Sequence, residues 1–172
     1  YPTGLVVKYV YTALGYLKEV RDNANDALYW RADTLDAEGH LQQQSYGNGV
    51  VTQQTWNANN GRLTGILAGA GNAIQNLGYQ YDTVGNLTTR TDGNQTLTET
   101  FVYDTLNRLT SSTVNSGGAG IVTMNYAYDA LGNITTKSDL GTYTYPASGT
   151  TSVRPHAVSQ IALAGGGNIA FA

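Results

Sequence analysis

The sequence predicts an all-β fold built as a tandem array of short hairpins. Three observations predict it: an excess of Tyr and Gly, a ten-residue pattern that recurs at near-constant spacing, and apolar–polar alternation on either side of each turn. Of 172 residues, 13 are Tyr and 21 are Gly, against 2 Phe and 1 Met. Tyr fits a half-buried pleated surface, and Gly supplies the positive φ that tight turns require. An ordinary Leu/Phe core is therefore not expected. Tyr takes over the packing, and each buried hydroxyl then needs a hydrogen-bond partner.

The pattern is clearest in the second half of the chain. Tyr79-Gln80-Tyr81-Asp82-Thr83-Val84-Gly85-Asn86-Leu87-Thr88 recurs from Phe101 through Tyr103, Asp104, Asn107 and Leu109 to Thr110. It recurs again from Tyr126 through Tyr128, Asp129, Gly132 and Ile134 to Thr135. Looser copies lie upstream. One keeps Tyr9, Tyr11 and Gly15 with Thr12 in place of Asp, one runs Leu35-Asp36 to Gly39-His40-Leu41, and one runs Trp56 to Gly61-Arg62-Leu63 with one extra residue. The turn position thus falls at Gly15, Gly39, Gly61, Gly85, Asn107 and Gly132, at spacings of 24, 22, 24, 22 and 25 residues. A partial unit begins at Tyr143-Thr144-Tyr145-Pro146. The units fall near 9–28, 29–50, 51–73, 74–95, 96–120, 121–142 and 143–172, and all seven form one array.

Each unit reads as a hairpin. Tyr79 and Tyr81 share one face of a strand because side chains alternate with period 2. Asp82 is placed to accept backbone N–H groups in an Asx-type turn, and Gly85 to take positive φ. Asn107 fits the same position, since Asn tolerates the left-handed region. Leu87 starts the return strand and packs on the Tyr face, a cross-strand pair worth about 0.2–1 kcal/mol. A second set of turns links the hairpins: Gly47-Asn48-Gly49, Asp92-Gly93-Asn94, Ser116 to Gly120, and Asp139-Leu140-Gly141. Alternating turns at both ends make a meander. No helix is expected, and Asn23 to Leu28 reads as a loop. Thirteen or so strands in one sheet do not stay flat, so a curved or spiralling strip is expected.

Composition narrows the function. Hydrophobic residues make up 41% and charged residues 12%, which points to an ordered chain. The net charge of −3 offers no basic footprint for nucleic acid, and no apolar run reaches the ~18 residues of a membrane-spanning helix. There is no Cys, which excludes disulfides and thiolate zinc sites. The start, Tyr1-Pro2-Thr3-Gly4, and the end, Gly167 to Ala172, both read as cuts through a longer polypeptide.

No catalytic, cofactor or metal site is expected. Asp82, Asp104 and Asp129 hold a fixed place before each turn, and upstream units put Thr12 or Asn57 there, which a cap tolerates and an acid does not. His40 and His156, the 2 histidines, lack a neighbouring ligand pattern. His40 reads as a surface turn residue, and His156 as a local packing or hydrogen-bonding group. No Gly-x-Ser-x-Gly elbow is present, and the glycine runs near 117–120 and 165–167 precede no phosphate-loop Lys. Three N-glycosylation sequons start at Asn86, Asn94 and Asn133, and two of them are by-products of the repeat. Among the aromatics, packing is the expected role, and Trp30 and Trp56, in the looser units, are slightly better candidates for exposure than the tyrosines.

The units Tyr79 to Thr88 and Tyr126 to Thr135, with the segment Arg154-Pro155-His156-Ala157-Val158, resemble the YD repeats of the RHS family. That family includes bacterial RHS polymorphic toxins, the C component of ABC-type toxin complexes, and the YD shells of animal teneurins. The resemblance covers nearly the whole chain, most strongly from Tyr79 to Val158. It implies a strip that winds into a hollow β-cocoon enclosing a C-terminal toxin, released by an aspartyl self-cleavage region beyond the repeats. No segment here matches that region, the variable toxin domain is missing, and six or seven repeats are too few to close a cocoon. The expectation is therefore a non-enzymatic wall segment of a secreted or cell-surface bacterial shell. Its expected partners are further repeats of the same chain and an enclosed effector. Two alternatives carry different partners: an adhesive or filament-forming module that pairs with identical subunits, and a carbohydrate-binding module that holds a cell-surface glycan on its aromatic stripe.

Overall fold

The computed structural model describes residues 1–149 and 153–171. Residues 150–152 and 172 of the last expected unit lie outside the described residues. The all-β expectation holds. The strands are β1 (Val7–Tyr11), β2 (Leu17–Asp22), β3 (Leu28–Leu35), β4 (Leu41–Tyr46), β5 (Val51–Trp56), β6 (Leu63–Ala68), β7 (Gln75–Tyr81) and β8 (Leu87–Asp92). They continue as β9 (Leu97–Tyr103), β10 (Leu109–Asn115), β11 (Ile121–Tyr128), β12 (Ile134–Lys137), β13 (Gly141–Thr144), β14 (Gln160–Leu163) and β15 (Asn168–Ala170). All follow one another in chain order in a 15-stranded open sheet. Among the described residues the helical content is one 3-10 turn, Ala70–Asn72, and no helix is long and apolar enough to cross a membrane.

Contacts divide the chain into two compact units. The first holds Tyr1–Tyr81 with Thr89–Thr98, and the second Asp82–Thr88 with Glu99–Ala172. In the first unit, one face carries the row Tyr9, Val20, Trp30 and Tyr46 in direct cross-strand register. The opposite face carries Val10, Glu19, Arg31, Ser45 and Val51 in the same manner. On that polar face Arg21 Nε sits 2.6 Å from Glu19, and Arg31 and Ser45 both donate to Asp33. Ala68 and Thr52, paired across β5 and β6, are the best-buried points, at 2% and 6% exposure.

In the second unit Ser112 pairs with Met124 and Tyr126 with Lys137, while Tyr143, Ile161 and Ile169 align across β13 to β15. Ala68 and Ile161 are the buried apolar side chains among the described residues. The chain exposes 11040 Å², against roughly 8,100 Å² for a compact monomer of this size. Stability therefore rests on ladder hydrogen bonds and cross-strand pairs, spread along the strands, and not on one central core.

A bulge recurs just before the turns. The register shifts at Val10/Tyr11, Thr55/Trp56 and Ala127/Tyr128, so that Tyr11 faces Leu17, Trp56 faces Leu63 and Tyr128 faces Ile134. The extra residue turns each pre-turn aromatic onto the first aliphatic residue of the return strand.

Candidate functional site

The turns repeat one hydrogen-bond scheme. The backbone N–H groups of Asp36, Asp82, Asp104 and Asp129 donate to the carbonyls four residues on, at 2.9, 3.0, 2.9 and 2.9 Å. Gly39, Gly85, Asn107 and Gly132 return an N–H to the same aspartates' carbonyls at 3.1, 3.3, 3.0 and 3.2 Å. The returning residue has φ of 88°, 108°, 59° and 91° in these four turns. Asn stands where Gly otherwise does because its side chain tolerates that region.

The aspartate side chain fills the turn. Oδ1 of Asp82 accepts the N–H groups of Val84, Gly85 and Asn86 at 3.1, 2.7 and 2.8 Å, and Oδ2 accepts the Asn86 amide at 2.9 Å. Asp104 takes Leu106, Arg108 and the Arg108 Nε, and Asp129 takes Leu131, Asn133 and the Asn133 amide. Burial pushes the Asp82 and Asp129 carboxyls up, but the donors at Asn86 and Asn133 outweigh it and hold both below the ordinary carboxylate range. Asp104 is held low first by the Arg108 N–H, against burial, with help from the guanidinium. A carboxylate that serves three or four donors is a turn cap. Thr12 does a smaller version of the same job, accepting the Tyr16 N–H at 3.1 Å.

Between successive hairpins runs a ladder of rungs. Trp56 Nε1 donates to the Leu41 carbonyl at 2.9 Å, Tyr103 to Leu87 at 2.9 Å, Tyr128 to Leu109 at 2.8 Å and Tyr145 to Ile134 at 2.9 Å. In every case the aromatic ending one hairpin's incoming strand reaches the first residue of the preceding hairpin's return strand. Burial and the Asp82 charge push the Tyr103 phenol up, which keeps it a donor.

A second contact comes from the residue after the turn glycine. His40 stacks on Trp56 with ring centroids 4.7 Å apart, and Arg62 lies 5.8 Å from the Tyr81 ring centre. Asn86 donates to Asn107 Oδ1 at 2.9 Å. Arg108 donates to the Asp129 carbonyl at 3.0 Å and lies 4.7 Å over the Tyr128 ring. Asn133 meets His156 Nδ1 at 2.7 Å.

The RHS Repeat family model matches residues 81–119, which hold the Asp82 and Asp104 turns and the Tyr103–Leu87 rung. The toxin subunit YenC1 of Yersinia entomophaga is 32% identical, over 63% of this chain and 13% of its own length. Residues 81–119 thus carry the RHS repeat. Among solved structures the chain's fold is similar to TcdB2-TccC3, with a TM-score of 0.67 and 23% identity over 78% of this chain and 8% of that one. It is also similar to the Photorhabdus luminescens Tc holotoxin pore, with a TM-score of 0.66 and 22% identity over the same shares. The chain thus spans 13% of the curated relative's length.

The structure places several residues differently from the sequence reading. His156 bonds a residue 23 positions upstream, so its contact is not local in sequence. Trp30 and Trp56 are half-buried and not exposed, because the Trp30 ring nitrogen is taken by Gln44 at 2.6 Å and that of Trp56 by Leu41. The aromatic residues more than half exposed in β1 and its turn are Tyr9, Tyr11 and Tyr16. The sequon amides of Asn86, Asn94 and Asn133 donate to Asp82, Asn72 and Asp129.

His40 also has neighbours that the sequence reading denied it. Asp36 and Glu38 bring carboxylate oxygens to its ring, and the three ligand atoms lie within 4.8 Å of one another. The residue after the turn glycine is a connector that strand periodicity does not mark. Its sequence signal is that His40, Arg62, Asn86, Arg108 and Asn133 are all polar and long enough to reach the next hairpin.

Among the positions that define the repeat, Asp82, Gly85, Leu87, Tyr103 and Asn107 come together around the first rung of the second unit. Asp104, Leu109, Tyr128 and Asp129 come together around the next, through Arg108. Gly132 and Ile134 flank Asn133 at the third. Tyr79 and Tyr81 lie half-buried at the end of β7, and Tyr126 approaches Ser112 at 3.4 Å and Met124 at 3.9 Å.

Proposed function

We propose that this RHS-repeat segment is a wall element of a secreted bacterial toxin-delivery shell, enclosing a C-terminal effector carried on the same polypeptide. The observation that carries the reading is the ladder. Every rung joins one hairpin to the one before it, and Asp82, Asp104 and Asp129 are each engaged in closing their own turns. Such a ladder supplies stiffness along the array. The likeness to a toxin subunit supports the toxin assignment.

The mechanism is confinement and not catalysis. Strands β9 and β11 alternate half-buried Phe101, Met124 and Tyr126 with an exposed face that mixes Thr100, Thr123 and Asn125 with Val102 and Ile121. The Thr and Asn positions limit the apolar surface on which an unfolded cargo could collapse. The partners are further repeats of the same chain and the cargo. The test is protease protection in the full-length polypeptide. The downstream segment should resist digestion in the intact protein and become sensitive when the hairpin 96–120 is deleted. A downstream segment equally sensitive in both rejects the reading.

A further inference from the structure

One RHS turn differs from its sisters in chemistry. Two residues after the turn aspartate the others carry Val84, Leu106 or Leu131, and four residues after it Asn86, Arg108 or Asn133. The Asp36 turn carries Glu38 and His40 there instead. Turn geometry explains why these side chains meet. Asp36 Oδ1 accepts the N–H groups of both, at 3.0 and 2.8 Å, which folds both residues over the aspartate.

His40 Nδ1 then lies 2.8 Å from Asp36 Oδ2 and 3.6 Å from Glu38 Oε2. The 2.8 Å contact is a hydrogen bond in the absence of an ion, and the three ligand atoms, all within 4.8 Å of one another, converge closely enough to hold one. Ligands held at 2.0–2.1 Å around a tetrahedral zinc ion stand roughly 3.3–3.4 Å apart, between these two distances. The ring is fixed in place by Trp56, stacked at 4.7 Å with planes 17° apart. It is also fixed by Gly61, where an added Cβ would come within 3.1 Å of His40 Cε1. Beside the cluster a pocket of about 220 Å³, lined by Asp36, Glu38, Gln42, Trp56 and Asn57, has room for a water ligand.

We propose that the Asp36–Glu38–His40 turn binds a divalent transition-metal ion of the zinc type, with one imidazole, two carboxylates and a water. The imidazole favours zinc, cobalt or nickel over magnesium and calcium. Since His40 stacks on Trp56 of the next hairpin, the ion stabilises that junction by mass action.

The sister turns supply the controls. His40→Asn copies the Asn86 and Asn133 turns, and Glu38→Leu copies those with Leu106 and Leu131, so both remove a ligand from a turn that tolerates the new residue. The experiment titrates the full-length protein with cobalt(II), followed by visible absorption, and then displaces it with zinc. The wild type should bind one equivalent, and each variant should weaken binding more than tenfold. Circular dichroism of all three in EDTA should coincide. Because the Glu38 side chain is 62% exposed, its variant remains informative even where His40→Asn disturbs the Trp56 stack. Absence of cobalt or zinc binding at about 1 mM, or binding of equal strength in both variants, overturns the proposal.

Discussion

Removing the rung hydroxyls tests whether the ladder holds the hairpins together. Tyr103→Phe, Tyr128→Phe and Tyr145→Phe each delete one donor to a preceding carbonyl, at 2.9, 2.8 and 2.9 Å, and leave the ring in place. A neutral hydrogen bond of this kind contributes about 1 kcal/mol net, rising toward ~2 kcal/mol where the carbonyl loses its partner in a half-buried setting. The rungs belong to different hairpins and share no partner, so the losses add, to about 3 kcal/mol in the triple variant. With a urea m-value of ~2 kcal/mol/M, the midpoint falls by about 1.5 M. Tyr16→Phe is the control. That phenol, in the first turn, is 59% exposed with no hydrogen bond among the described residues, and its loss should leave the midpoint unchanged. Urea unfolding followed by circular dichroism measures all five variants. A triple variant within ~0.5 kcal/mol of wild type, or a Tyr16→Phe cost equal to that of a rung, refutes the ladder as a source of stability.

Two further predictions concern turns. Gly47→Ala places a methyl group on the Leu28 carbonyl oxygen and 3.4 Å from Tyr29 Cα. It should cost about 1–3 kcal/mol by forcing β3 aside. Gly49→Ala meets open space at φ 84° and should cost about 1–2 kcal/mol from backbone strain alone. Thermal melts of the pair separate clash from strain, and equal costs would contradict the placement of Gly47. The carboxyls of Asp82, Asp104 and Asp129 are held low in the folded state, so their stabilisation is complete above the ordinary carboxylate range and is lost as pH falls through and below it. Tm should hold above about pH 5 and drop below about pH 4, and a Tm that rises on acidification would contradict the capping role.

The hairpins were legible because their signals are local. Strand alternation, the aspartate before each turn and a residue able to take positive φ three positions later all lie within ten residues, as in Tyr79 to Thr88. What escaped is set by lateral distance between hairpins. Arg108 meets Tyr128 and the Asp129 carbonyl, and Asn133 meets His156, across separations of 20 to 23 residues that no strand period encodes. The link between β6 and β7 was missed for a different reason. Gly69 and Gly71 take positive φ around a 3-10 turn that lacks the Asp-x-x-Gly signature. Thr96 also takes φ of 51°, a turn conformation that no Gly or Asn at that position announces. The Asp36–Glu38–His40 group was obscured by its own repeat, because a residue that reads as a substituted turn Asn attracts no attention as a ligand.

The claim that this RHS array forms the wall of a container is tested most directly by electron cryo-microscopy of the full-length protein. The account predicts hollow particles whose wall follows the hairpin ladder and whose interior holds density beyond the repeats. Solid particles, or long fibres with nothing enclosed, would contradict it.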